Sequence, residues 1–118
     1  MRQVNSKITY KDRDYKIVFN LNVMEIIQEE YETLEAWAEL TDGKAGEVNI
    51  KALIFGLTAM LNEGIDIDNE ENGTKEPFLT SKQVGRMITD VGIDNATNTM
   101  NDLVIDSTKT EGADSKNA

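Results

Sequence analysis

Residues 49–64 read NIKALIFGLTAMLNEG, and this stretch decides the fold. Ile50, Leu53, Ile54, Leu57, Met60 and Leu61 recur at helical spacing and form one broad apolar face. Asn49 stands where a side-chain oxygen can cap the first turn, and Gly64 stands where a helix ends on glycine. This is the most apolar run in the chain, so it is expected at the centre of the core, where each fully buried side chain of this size contributes ~1.5–3 kcal/mol. Phe55 lies beside the stripe. Gly56 is a helix-interior glycine, which costs ~1 kcal/mol relative to alanine and suggests close approach by another backbone, either the hairpin described next or a partner.

Upstream, Val4, Ser6, Ile8 and Tyr10 alternate, as do Tyr15, Ile17, Phe19 and Leu21. Two period-2 runs around the charged turn Lys11 to Asp14 predict a β-hairpin, which needs a helix to cover its apolar face. Asn22 with Glu25 predicts the start of a first helix, whose stripe is Val23, Ile26, Ile27, Tyr31 and Leu34, extended by Trp37 and Leu40. Trp37 reads first as a core residue sealing the end of that helix, and second as an interface anchor. Downstream, residues 65–77 read as an acidic loop containing an Asn-Gly turn and the single proline. Thr80 and Gln83 form a capping box opening a third helix, which carries Val84, Met87, Ile88 and Val91 and stops at Gly92. A fourth, weaker helix is expected over about 94–106. The sequence therefore predicts an α+β fold: an N-terminal antiparallel β-hairpin followed by three to four α-helices on one core. The compact domain is drawn at 1–106, with 107–118 expected to be a disordered tail.

Composition narrows the function. The 118 residues contain neither cysteine nor histidine, which removes disulfides, thiolate chemistry and the commonest general base and metal ligand. No phosphate-binding loop, dinucleotide fingerprint or nucleophile elbow occurs, so the chain is not expected to be an enzyme or to need a cofactor. The net charge of −10 opposes binding to nucleic-acid phosphates. With no apolar leader and no membrane-length apolar run, a soluble cytoplasmic protein is expected, with no membrane contact.

Asp68, Glu70, Asn72 and Gly73 resemble the opening of a calcium loop, but the closing position holds Leu79 where a bidentate glutamate is needed, and Lys75 occupies a normally apolar place. A solvated acidic loop is the better reading, and no metal site is expected. Paired carboxylates such as Glu29-Glu30 and Glu70-Glu71 likewise read as a charged outer surface.

Three segments taken in order resemble the tail assembly chaperones of long-tailed bacteriophages and prophages: YKDRDYKIVFNLNVMEIIQEEY at 10–31, IKALIFGLTAML at 50–61, and FLTSKQVGRMI at 78–88. The resemblance covers about residues 5–92. It implies a small acidic protein without catalytic residues that binds the tape-measure protein, and also tail-tube subunits, in the bacterial host cytoplasm and is absent from the mature virion. It further implies that a longer frameshifted form can exist, and self-association is compatible with it. The contact residues expected for such a role are the apolar and aromatic side chains Tyr31, Trp37, Phe55, Met60 and Phe78. Two other classes of function are set against it. One is an acidic DNA-mimicking inhibitor of a host nucleic-acid enzyme, which would need carboxylates arrayed along one surface, whereas these cluster in a loop and on one helix. The other is a divalent-cation-binding regulator using residues 66–76.

Overall fold

Strand β1 (Val4–Tyr10) pairs antiparallel with β2 (Arg13–Phe19), in a register running from Val4 opposite Phe19 to Tyr10 opposite Arg13. The computed structural model describes residues 3–44 and 46–117, with side chains as far as Thr108. The turn is shorter than the four residues expected. Lys11 and Asp12 alone make it, with φ of +50° and +62°, the left-handed pair that a two-residue hairpin of type I′ requires. Arg13 and Asp14 join the strand because their side chains find partners along it. Thr9 Oγ1 donates to Asp14 Oδ1 at 2.6 Å, Lys7 Nζ lies 3.2 Å from Asp14 Oδ2, and the Arg13 guanidinium sits over the Tyr15 ring at 4.7 Å.

The hairpin ends at Asn20, whose side chain accepts from the Val23 N–H and caps α1 (Leu21–Tyr31). The cap thus lies two residues before the expected one, Asn22, which instead donates to Glu63 Oε2 at 3.0 Å. The single first helix of the sequence reading is in fact two. Glu32 adopts a left-handed φ of +71°, and the Thr33 hydroxyl takes the Ala36 N–H to cap α2 (Leu34–Thr41). This break directs Trp37 into the core, where it is fully buried.

The central helix, α3 (Ile50–Asn72), has 23 residues and is about 35 Å long. It runs two turns beyond Gly64, so the stretch read as an acidic loop from residue 65 is helical as far as Asn72, with Gly73 closing the helix at φ +65°. Gly64 is not a terminus but a contact: a Cβ there would lie 2.8 Å from the Lys16 carbonyl oxygen of β2. The close backbone approach suspected at Gly56 therefore occurs eight residues further on, at Gly64. Gly56 meets a side chain, the indole of Trp37. Lys16 Nζ then reaches Asp68 at 2.7 Å and ties the helix extension to the strand.

Helix α4 (Ser81–Val91) opens on the expected Thr80–Gln83 capping box and ends at Gly92. Helix α5 (Ile93–Asn117) follows directly. Met100 and Leu103 are buried, and Asn101 donates to the Thr41 carbonyl at 3.1 Å, fastening α5 to α2. The boundary drawn at 106/107 falls inside this helix, and Ser107 is buried; side chains past Thr108 lie outside the described residues.

The described residues thus form an α+β fold of one two-stranded sheet and five helices. Val4, Ile8, Ile17 and Phe19 of the sheet join Leu53, Leu57, Met60 and Leu61 of α3 in one core, completed by Val23, Ile27, Val84, Met87 and Met100. Among the described residues, no helix is long and apolar enough to cross a membrane.

Candidate functional site

Helix α3 buries one face between Ala52 and Gly64, yet its Phe55 side opens into an apolar groove of about 380 Å³. Phe55, Thr58, Ala59 and Asn62 form its floor, Ile26 of α1 one wall, and Phe78 the other. Ile26 is 39% exposed and Phe78 is 56% exposed. Phe55 is braced from behind by Tyr31, edge to face, with ring centroids 5.6 Å apart. Burial, and then the nearby Glu30 carboxylate, holds the Tyr31 phenol above its ordinary pKa.

An exposed phenylalanine next to a groove needs a reason to stay there, because collapse would bury it. Two asparagines on α3 supply that reason. Asn62 donates from Nδ2 to the Leu79 carbonyl at 3.0 Å and accepts from the Leu79 N–H at 2.8 Å, so it pairs with backbone as a strand would. Seven residues on, Asn69 accepts from the Glu76 N–H and the Thr74 hydroxyl, and donates to the Glu76 carbonyl. Residues 74–79 are thereby strapped along the helix, with Pro77 fixing one φ in the middle. Arg13 adds an exposed ion pair to Glu76 at 2.8 Å, a contribution of the small size usual for surface pairs. Phe78 is held on the groove's edge by backbone it cannot leave without breaking these bonds.

The rim is acidic. Glu63 Oε2 accepts from Asn20 Nδ2 at 2.6 Å and from Asn22 at 3.0 Å, which fixes its carboxylate where α1 starts, and Asp66 stands exposed one turn further. A groove of this kind offers apolar contact with carboxylates beside it. That suits an amphipathic segment flanked by Lys or Arg.

Of the five expected contact residues, the structure brings Tyr31, Phe55 and Phe78 together here. Trp37 and Met60 are fully buried and have no surface to offer a partner in this fold. The Trp37 indole N–H donates to the Ala52 carbonyl at 3.0 Å, the usual condition for burying that ring. Sequence reasoning missed Ile26, which it counted with the core stripe, and the two asparagines. Their seven-residue spacing opposite a proline was the available signal, hidden because helix α3 was ended too early. The calcium-like series lies at the C-terminal end of α3, where Asp68 is committed to Lys16. Among the described residues, no three Asp or Glu side chains converge as a metal site. Comparison with protein-family models, curated proteins and solved structures finds no match to this chain.

Proposed function

We propose that this chain is a tail assembly chaperone of a long-tailed phage or prophage, and that it holds an apolar helical segment of the tape-measure protein in the Ile26–Phe55–Phe78 groove. The observation that carries the reading is the exposed Phe78, fixed on the rim of an apolar groove that Glu63 and Asp66 also line. The three sequence segments that resemble the family give it a partner. A tape measure is long, helical and rich in apolar residues, so unpartnered copies aggregate. A protein that shields such a helix needs apolar contact at one place and strong charge elsewhere, and this chain carries −10. Tail-tube subunits are the second partner in this reading, bound transiently in the host cytoplasm and released from the finished particle.

Co-expression with the adjacent tape-measure protein tests it. A soluble complex is expected, and Phe78→Asp should weaken it by at least about tenfold, because a rim aromatic that becomes buried contributes ~1.5–3 kcal/mol. Phe78 is already more than half exposed, so the variant should fold normally. Tape-measure solubility that does not respond to this protein would end the proposal.

A further inference from the structure

A second groove, of about 580 Å³, opens on the other side of Ser81, between the start of α3 and the outward side of α4. Ile50 and Ile93, 47% and 44% exposed, form its two sides, and Ile54 and Gly85 its floor. Its edge has the opposite charge to the first. Lys82 and Arg86, four residues apart and one turn from each other on α4, both line it. Both are exposed, and neither belongs to an ion pair among the described residues. On a chain of net charge −10, two adjacent cations beside exposed isoleucines are unusual company, although Asp90 follows Arg86 by one turn.

Gly85 adds an independent observation. It sits inside α4, where glycine is unfavourable relative to alanine. Its backbone φ is not left-handed, and a Cβ there would meet only Ile54 Cδ1, at an ordinary 3.7 Å. Nothing within the fold requires a glycine, in contrast to Gly56 and Gly64. What the missing side chain does provide is depth at the groove floor, so that something from outside can approach the α4 backbone.

We propose that this groove docks an amphipathic helix of another protein, with apolar residues on Ile50, Ile54 and Ile93 and carboxylates facing Lys82 and Arg86. The charge decides the occupant. Two cations on an acidic chain are too few for nucleic acid or an anionic membrane, each of which would meet net repulsion, whereas one helix edge carrying two or three carboxylates is matched locally. A second copy of this chain brings another −10 with it. The molecule then takes two segments of opposite charge in neighbouring grooves, the basic-flanked one beside Phe78 and the acidic-flanked one beside Gly85. The second groove stands whether or not the first serves a tape-measure protein.

Two synthetic peptides of about 18 residues, five helical turns, test this. They share one leucine stripe and differ only in flanks of Glu or Lys. At low salt, ¹⁵N amide spectra should show the Glu-flanked peptide shifting Ile54, Gly85 and Arg86, with the Lys-flanked peptide leaving these signals in place. Charge reversal by Lys82→Glu with Arg86→Glu should weaken the Glu-flanked peptide about tenfold, since exposed pairs are each worth a few-fold and repulsion replaces them. Gly85→Leu should weaken it further by filling the floor, and Phe78→Asp should leave it unchanged, which separates this groove from the first. Unaltered melting temperatures of these variants confirm that the fold is intact. Equal shifts with both peptides, or full affinity after charge reversal, would overturn the proposal. So would shifts at the same amides that grow with protein concentration without peptide, since the occupant would then be a second copy.

Discussion

Gly56→Ala is a change of one methyl group that should cost much of this protein's stability. In most helices the substitution helps by ~1 kcal/mol, because alanine loses less conformational freedom than glycine. Here the new Cβ would lie 2.4 Å from Trp37 Cζ2, 2.9 Å from Cε2 and 3.1 Å from Nε1. Carbon atoms rest about 3.5–4.0 Å apart, so the indole would have to retreat by about 1.1–1.6 Å. It has nowhere to go. The ring is fully buried, and its N–H is committed to the Ala52 carbonyl, one turn before Gly56 on the same helix. Overpacking costs ~1–3 kcal/mol, and pulling the indole N–H from its buried acceptor costs a similar amount. Set against the helix gain, the net loss is about 1–5 kcal/mol, in a protein of this class whose whole stability is ~5–15 kcal/mol. Urea denaturation followed by far-UV circular dichroism reads it directly as a lower midpoint, and thermal unfolding should show a fall in melting temperature of roughly 4 °C per kcal/mol. The decisive control is a double-mutant cycle with Trp37→Leu. Once the indole is gone, alanine at 56 should cost nothing or stabilise. An alanine variant as stable as the parent, or a penalty that persists without the indole, would refute the reasoning.

The other expectations concern the joints around α3. Gly64→Ala places a Cβ 2.8 Å from the Lys16 carbonyl oxygen, which belongs to backbone and cannot rotate away, so a loss of ~1–3 kcal/mol in denaturation is expected, and a neutral result would contradict the close approach of helix and strand. Asn62→Ala removes both bonds to Leu79 and strands its N–H and carbonyl; hydrogen exchange at the Leu79 amide should accelerate well beyond the global change, and unchanged protection would show that the asparagine does not hold the strap. The Thr9 hydroxyl, then the hydrogen bond and charge of Lys7, hold the Asp14 carboxyl below the usual range. A depressed folded pKa means the contribution is present above the unfolded value and fades as pH falls through the folded one, the acidic side of the carboxylate range. Thr9→Val should move the Asp14 titration upward by NMR, and an unmoved curve would remove the hydroxyl as the leading cause.

Wherever a local rule met no long-range competitor, the fold was legible in the sequence. Alternation located both strands, the Thr80–Gln83 box and Gly92 bracketed α4, and helical spacing placed Leu53, Leu57, Met60 and Leu61 in the core. Two of the misreadings share one physical cause, which is contact between residues far apart in the chain, and a third is local. Gly64 after an apolar run looks like a terminus, and only the Lys16 backbone resting against it shows why a helix interior needs a glycine there. Residues 65–72 look like an acidic loop until Lys16 is seen beside Asp68. The first helix looks continuous because Glu32, a non-glycine residue at positive φ, gives no compositional warning. At the candidate site, Phe55 and Phe78 could be picked out as large apolar residues off the main stripe. Ile26 could not, since helical spacing says which residues share a face but not where the covering element stops.

The extra two turns of α3 also determine what kind of surface the protein presents. Asn62 and Asn69 are about 10.5 Å apart along the helix, and an extended segment of three to four residues covers that distance. Leu79 and Glu76 are three residues apart and bond to those two asparagines, so helix and strap match in length. A helix ending at Gly64 would leave Asn69 in a loop and Phe78 free to fold inward. The two grooves therefore differ in kind although they meet at Ser81. The one beside Phe78 depends on side-chain bonds to a strap, and the one beside Gly85 is built from helix surfaces alone. Loosening the strap with Asn69→Ala, a residue that lines neither groove, should degrade binding in the first groove and spare the second. That asymmetry follows from the architecture without reference to the identity of either partner.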